Sequence, residues 1–129
     1  MDGLNEPTEP RKMIAPDNWE KFLQEFAERN YDRRARFDVF RNDGTAEEEG
    51  GEAHLEDVKL TENGGAKNVE IIRIDRSQSN AEKTKETVTN VRGITVQIDI
   101  DGSEDALEIT DDQNTLVSLR LESKIDGNS

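Results

Sequence analysis

The chain has 129 residues, of which 36% are charged, and its formal net charge is −13. That length holds one domain, and the absence of cysteine rules out disulfides, thiol catalysis and zinc–thiolate sites. An acidic excess of this size repels a phosphate backbone, so nucleic acid is not an expected partner.

In chain order, residues 1–16, with Pro7, Pro10 and Pro16 among polar neighbours, read as a flexible leader without the apolar run of a signal peptide. A helix then opens, with Asp17 as its N-cap and Glu20 three places on, where a capping box has its second member. Trp19, Phe22, Leu23 and Phe26 form an apolar stripe at helical spacing, and the pattern ends near Arg29 or Asn30. All six aromatic residues lie between Trp19 and Phe40, so this segment must supply the bulky part of the core. The core expected from the sequence is Trp19, Phe22, Leu23, Phe26 and Phe37.

After the helix the period falls from 3.6 to 2. Ala35, Phe37 and Val39 alternate with Arg34, Arg36 and Asp38, which describes a half-buried strand. Residues 42–52, rich in glycine and glutamate, read as an exposed loop. Ala53, Leu55, Val58 and Leu60 suit a strand whose alternation slips between Leu55 and Val58, predicting a bulge. Asn63-Gly64-Gly65 marks a turn into the apolar strand 69–74. Residues 75–90 are polar and show no clear period. Ile94, Val96, Ile98 and Ile100 alternate again, Leu107 and Ile109 continue the pattern, and Val117, Leu119 and Leu121 complete it. The expected architecture is therefore α+β: one N-terminal amphipathic helix packed on a mostly antiparallel sheet of about six strands. No connection offers the long crossover that parallel pairing needs. The domain is expected to span residues 17–123, with a frayed tail over 124–129.

The segment Trp19-x-x-Phe22-Leu23-x-x-Phe26 after Pro16-Asp17, together with Ala106-Leu107-Glu108-Ile109-x-x-Asp112-x-x-Thr115-Leu116, resembles an uncharacterised family of small prokaryotic helix-plus-sheet proteins. The resemblance covers the two ends of the chain. It implies a short opening helix and a closing β-hairpin, and it implies no activity.

No catalytic constellation stands out. His54 is the sole histidine, and no serine sits in a nucleophile-elbow pattern. Asp99, Asp101, Ser103 and Asp105 place oxygen ligands at alternate positions, but the glycine and glutamate that a calcium loop needs at its sixth and twelfth places are missing, which favours a charged hairpin turn at Asp101-Gly102. No metal and no cofactor are expected. The basic residues are uneven: residues 1–43 carry 10 acidic and 8 basic side chains, net −2, whereas residues 44–129 carry 20 and 9, net −11. Arg33, Arg34, Arg36 and Arg41 could grip a phosphate or carboxylate. The spacing Arg29-x-x-x-Arg33 resembles the arginine motif of cyclic-dinucleotide-binding PilZ domains, whose second motif, D/N-x-S-x-x-G, is missing here. The chain reads as a small, acidic, non-enzymatic and cytoplasmic binding protein whose partner is a protein or a small anionic ligand, with no membrane role. The alternative is a small-ligand carrier with a cavity between helix and sheet.

Overall fold

The computed structural model describes residues 11–75 and 81–122. Its elements are β1 (Arg11–Met13), a 3-10 turn (Pro16–Asn18), α1 (Trp19–Arg29), β2 (Arg34–Phe40), β3 (Ala46–Asn63), β4 (Ala66–Asp75), β5 (Glu82–Val88), β6 (Val91–Ile98), β7 (Glu104–Asp111) and β8 (Leu116–Leu121). The described strands form one sheet in the order β1-β6-β7-β8-β2-β3-β4-β5, and every neighbouring pair is antiparallel. The α+β class and the antiparallel sheet stand. Two expectations are corrected. The helix is not the first element, because β1 precedes it and pairs with β6 through Arg11↔Gln97 and Met13↔Thr95. The sheet is also larger than about six strands, with eight among the described residues.

The reasons for the two extra strands are local. β1 spans three exposed residues, too few to show a period, and is held by its backbone ladder. β5 is Glu-Lys-Thr-Lys-Glu-Thr-Val, and only Val88 of it is apolar and buried. The expected loop over 42–52 shrinks to a turn, because β3 begins at Ala46 and pairs Phe40↔Ala46, Val39↔Glu47 and Asp38↔Glu48 with β2. Within the span of the expected leader, Arg11–Met13 form β1; its first ten residues, like the tail 124–129, lie outside the described residues.

α1 starts one residue later than the Asp17 cap implies. Pro16–Asn18 take a 3-10 turn, and Asn18 stands at the N-cap without a side-chain cap bond. The helix buries Trp19, Leu23, Phe26 and Ala27. Phe22 is only partly buried against the core, tilted on Phe26 at 5.9 Å and covered by the Arg29 guanidinium at 5.7 Å. The Trp19 indole N–H donates to Ile14 O at 3.0 Å, and the Ile14 N–H donates to Ile94 O, so the start of the helix is tied to β6.

One core receives side chains from β2 to β8 and from α1: Phe37, Leu55, Ile71, Val88, Ile94, Leu107 and Leu119 belong to it. Seven neighbouring strands can share one interior only if the sheet curls. The connection from β5 to β6 shows the same thing. β5 is one edge of the sheet and β6 lies next to the other, yet Thr89 and Asn90 alone join them. Asn90 takes a φ of 53°, and its N–H is held by Asn68 Oδ1 at 3.1 Å. Between β3 and β4, Gly64 and Gly65 both have positive φ (61° and 86°), which is what a two-residue hairpin matching the strand twist requires. The slip in β3 is a register shift against β4 between Leu55 and Asp57. Among the described residues, no helix is long and apolar enough to cross a membrane.

Candidate functional site: an arginine-lined cleft

The four arginines grouped by the sequence separate in space. Period-2 alternation puts Arg34 and Arg36 on the outer face of β2, with Ala35, Phe37 and Val39 buried between and beyond them. Arg33 precedes the strand and turns inward to the junction. Arg41 follows the strand and pairs with Glu47 at 3.2 Å.

Arg33 is consumed by the fold. Its Nη1 donates to Asn30 Oδ1 and to Glu104 O, each at 2.8 Å, and its Nη2 donates to Glu122 O. Beside it, Arg29 makes a two-pronged contact with Glu104, at 3.1 and 2.6 Å, and the buried Asn30 gives its Nδ2 to Phe26 O at 2.9 Å and Glu104 Oε1 at 2.8 Å. This network fastens the end of α1 to the start of β7 and the end of β8. The bond to Glu104 raises the Arg29 pKa above its ordinary value, and burial lowers that of Arg33 against the opposing pull of Asp105, Glu104, Asp101 and Glu122. Arg33→Ala is expected to lower the unfolding free energy by about 2 kcal/mol, since it strips charged hydrogen bonds from partly buried carbonyls. Urea unfolding followed by Trp19 fluorescence checks this, and a loss below roughly 0.5 kcal/mol would remove Arg33 from the scaffold.

Arg34 and Arg36 line an open cleft of about 350 Å³ together with Arg120, Glu48 and Glu122. Arg120 lies directly across from Arg36 in the β2–β8 ladder. Like charges at opposed positions destabilise a sheet. The partial relief is visible: Arg36 Nε contacts Asp38 Oδ2 at 3.3 Å, and Arg34 Nε contacts Glu122 Oε1 at 3.4 Å. The Arg120 side chain makes no hydrogen bond or ion pair among the described residues and is exposed. On the other side of Arg36, β3 bulges. Ala35 pairs with Ala53 but Phe37 pairs with Glu49, so four steps of β3 match two of β2, and Arg36 has no partner there. The bulge holds the Gly50-Gly51 pair, and Glu48, just before it, lines the cleft.

The other candidates fall elsewhere. His54 is half-buried on β3, across from Arg34, and its Nδ1 is buried without a hydrogen bond. The Asp101 Oδ1 accepts the N–H and hydroxyl of Ser103, at 2.9 and 2.6 Å, within the turn between β6 and β7. Trp19, Leu23 and Phe26 pack into the core between helix and sheet, and an open hollow of about 560 Å³ lies beside them between Gln24, Ala27 and Glu28 of α1 and Glu56 and Asp57 of β3. Sequence reasoning missed Arg120, which stands 84 positions from Arg36; its signal was the outward place in the Val117, Leu119, Leu121 alternation. No family model matches the chain, and no curated protein or solved structure matches it significantly.

Proposed function

We propose that the protein is a small binding protein that takes an oxyanion-bearing segment of a partner protein, carboxylate or phosphate, in the cleft between β2, β8 and the bulge of β3. The observation that supports this reading is the opposition of Arg36 and Arg120 across one ladder, with Arg34 beside them. Guanidinium forks match planar oxyanions two bonds at a time. An incoming oxyanion would sit between two like charges whose repulsion it relieves, and Arg120 is available for it. Glu48 and Glu122 on the same walls oppose non-specific anions and would set the position of a specific one.

The reading is tested by titrating the 15N-labelled chain with a phosphoserine peptide and with its unphosphorylated twin. The phosphopeptide is expected to shift the amides of Arg34, Arg36, Arg120 and Leu121, and the twin is expected to leave them in place. The double variant Arg36→Glu/Arg120→Glu should lose the effect while keeping the melting temperature, because both side chains are exposed. Shifts that persist in the double variant, or that the two peptides produce equally, would defeat the proposal.

A further inference from the structure

The end of α1 is fastened at one end of the curled sheet, where β7 starts and β8 ends. At the opposite end a cavity of about 260 Å³ opens between the end of β2, the hairpin that joins β7 to β8, and the turn after β5. The ladders explain what lines it. Val39, Val117 and Ile109 form one buried row across β2, β8 and β7. A period of 2 puts the next inward row at Arg41, Thr115 and Asp111, just past the last β2–β8 pair, Phe40↔Leu116. All three stand on the cavity wall.

This rim carries one charge of each sign, on either side of Thr115. Arg41 is exposed, and its Nη2 reaches Glu47 at 3.2 Å. An exposed pair of this kind holds weakly and can exchange for a better-placed carboxylate. Asp111 is fixed in place: its Oδ1 accepts the N–H groups of Gln113 and Thr115, each at 2.9 Å, while its Oδ2 makes no hydrogen bond among the described residues. Glu86 also lines the cavity, but its charge is answered from behind by the buried Arg73, 3.6 Å away. Two strand spacings, about 9–10 Å, part the backbones that carry Arg41 and Asp111. A small molecule with its own anion and cation can span that interval between a guanidinium and a carboxylate.

We propose that this mouth, separate from the outer arginine cleft, binds a small free α-amino acid, with its carboxylate on the Arg41 guanidinium and its ammonium on Asp111. A molecule of single charge would satisfy one side of the rim and leave the other without a counterpart. The floor sets the side chain. Val39, Val88 and Val117 lie under the rim and keep only 5–8% of their surface exposed, so they offer contact to a short apolar group and no room for a long one. The volume lies just under the ~300–1,000 Å³ of sites for drug-sized ligands, which fits so compact an occupant.

The probes are L-valine, L-valinamide and N-acetyl-L-valine, which share a side chain and differ in charge. Titrated into the unaltered 15N-labelled chain, L-valine is expected to shift the amides of Arg41, Asp111, Thr115 and Val117 saturably. Each of the other two should bind at least about tenfold more weakly, as the loss of one charged contact predicts. Arg41→Gln should bring L-valine down to the affinity of L-valinamide and leave L-valinamide itself unchanged, a selectivity that a merely structural role would not produce. Arg36→Glu/Arg120→Glu should leave all three titrations intact, so the outer cleft and this mouth can fail independently. Absence of saturable shifts with L-valine, equal binding of the three probes, or an Arg41→Gln variant that weakens L-valine and L-valinamide alike overturns the proposal. The comparison of probes on the unaltered chain needs no variant, so it does not depend on whether a variant folds.

Discussion

Arg73→Met is expected to lower the unfolding free energy by about 3–5 kcal/mol, the cost of removing one partner from a buried ion pair and leaving the other uncompensated. Arg73 is the largest fully buried side chain, and it holds Glu86, the carbonyl of Ala35 and the face of Phe37 together inside the curl. The long side chain of methionine replaces much of its volume, so the loss reports the charge and the hydrogen bonds more than a hole. The double variant Arg73→Met/Glu86→Leu removes both charges and should recover most of that stability, because apolar replacement of a whole buried pair is commonly neutral or favourable. Chemical unfolding of the two single variants and the double variant gives the coupling directly. A single-variant loss below about 1 kcal/mol, or effects that simply add, would mean that the pair contributes little to the fold.

Phe26→Ala is expected to cost about 3–5 kcal/mol, the usual penalty for emptying a buried aromatic position. Phe26 is 0% exposed and touches the core from the middle of α1. With total stability on the order of 5–15 kcal/mol, this variant stands near the limit of folding. Phe22→Ala should cost visibly less, about 1–2 kcal/mol, because Phe22 lies at the margin under Arg29 and part of its surface already faces water. Thermal melts of the two variants, recorded side by side, check the order. If Phe22→Ala proves the more damaging, the margin of the helix matters more than its centre.

The contrast between these two phenylalanines shows where the sequence runs out. Both sit on the stripe that predicts the helix, and spacing alone cannot rank them. What separates them is the rotation of α1 on a curled sheet, which is set by contacts far away in sequence, such as those of Arg29 and Asn30 with Glu104. The strands around Phe37, Leu55, Ile71, Ile94, Leu107 and Leu119 were legible, because each carries an apolar run or alternation that supplies the core. β5 was not, and the reason is physical: its inward positions include Thr84 and Glu86, and Glu86 answers a buried arginine on β4 instead of an apolar neighbour. The first half of β3 was hidden by the glutamate run Glu47-Glu48-Glu49, whose backbone pairs with β2 whatever its side chains prefer.

The outer cleft was legible by halves. Alternation alone says that Arg34 and Arg36 share a face of β2, and that Arg33, one residue before the strand and out of phase with both, does not. Arg33 accordingly serves the junction. Arg120 could be placed beside Arg36 only by knowing that β8 pairs with β2, a choice between strands that local pattern does not make.

That choice has a consequence for how the chain is made. β8, the last of the described strands, is not an edge: it lies between β7 and β2, and its Leu121 meets Ala35 across 86 positions of sequence. While a ribosome is still delivering the second half, β2 and β3 can pair as a hairpin, but one side of β2 stays bare until β8 emerges. Contacts of such long separation slow folding, because the loop must close before any pairing rewards it. The nascent protein therefore carries an open strand edge from the completion of β2 until β8 is made, and the arginines of β2, exposed on that same strand, help keep the waiting edge in water.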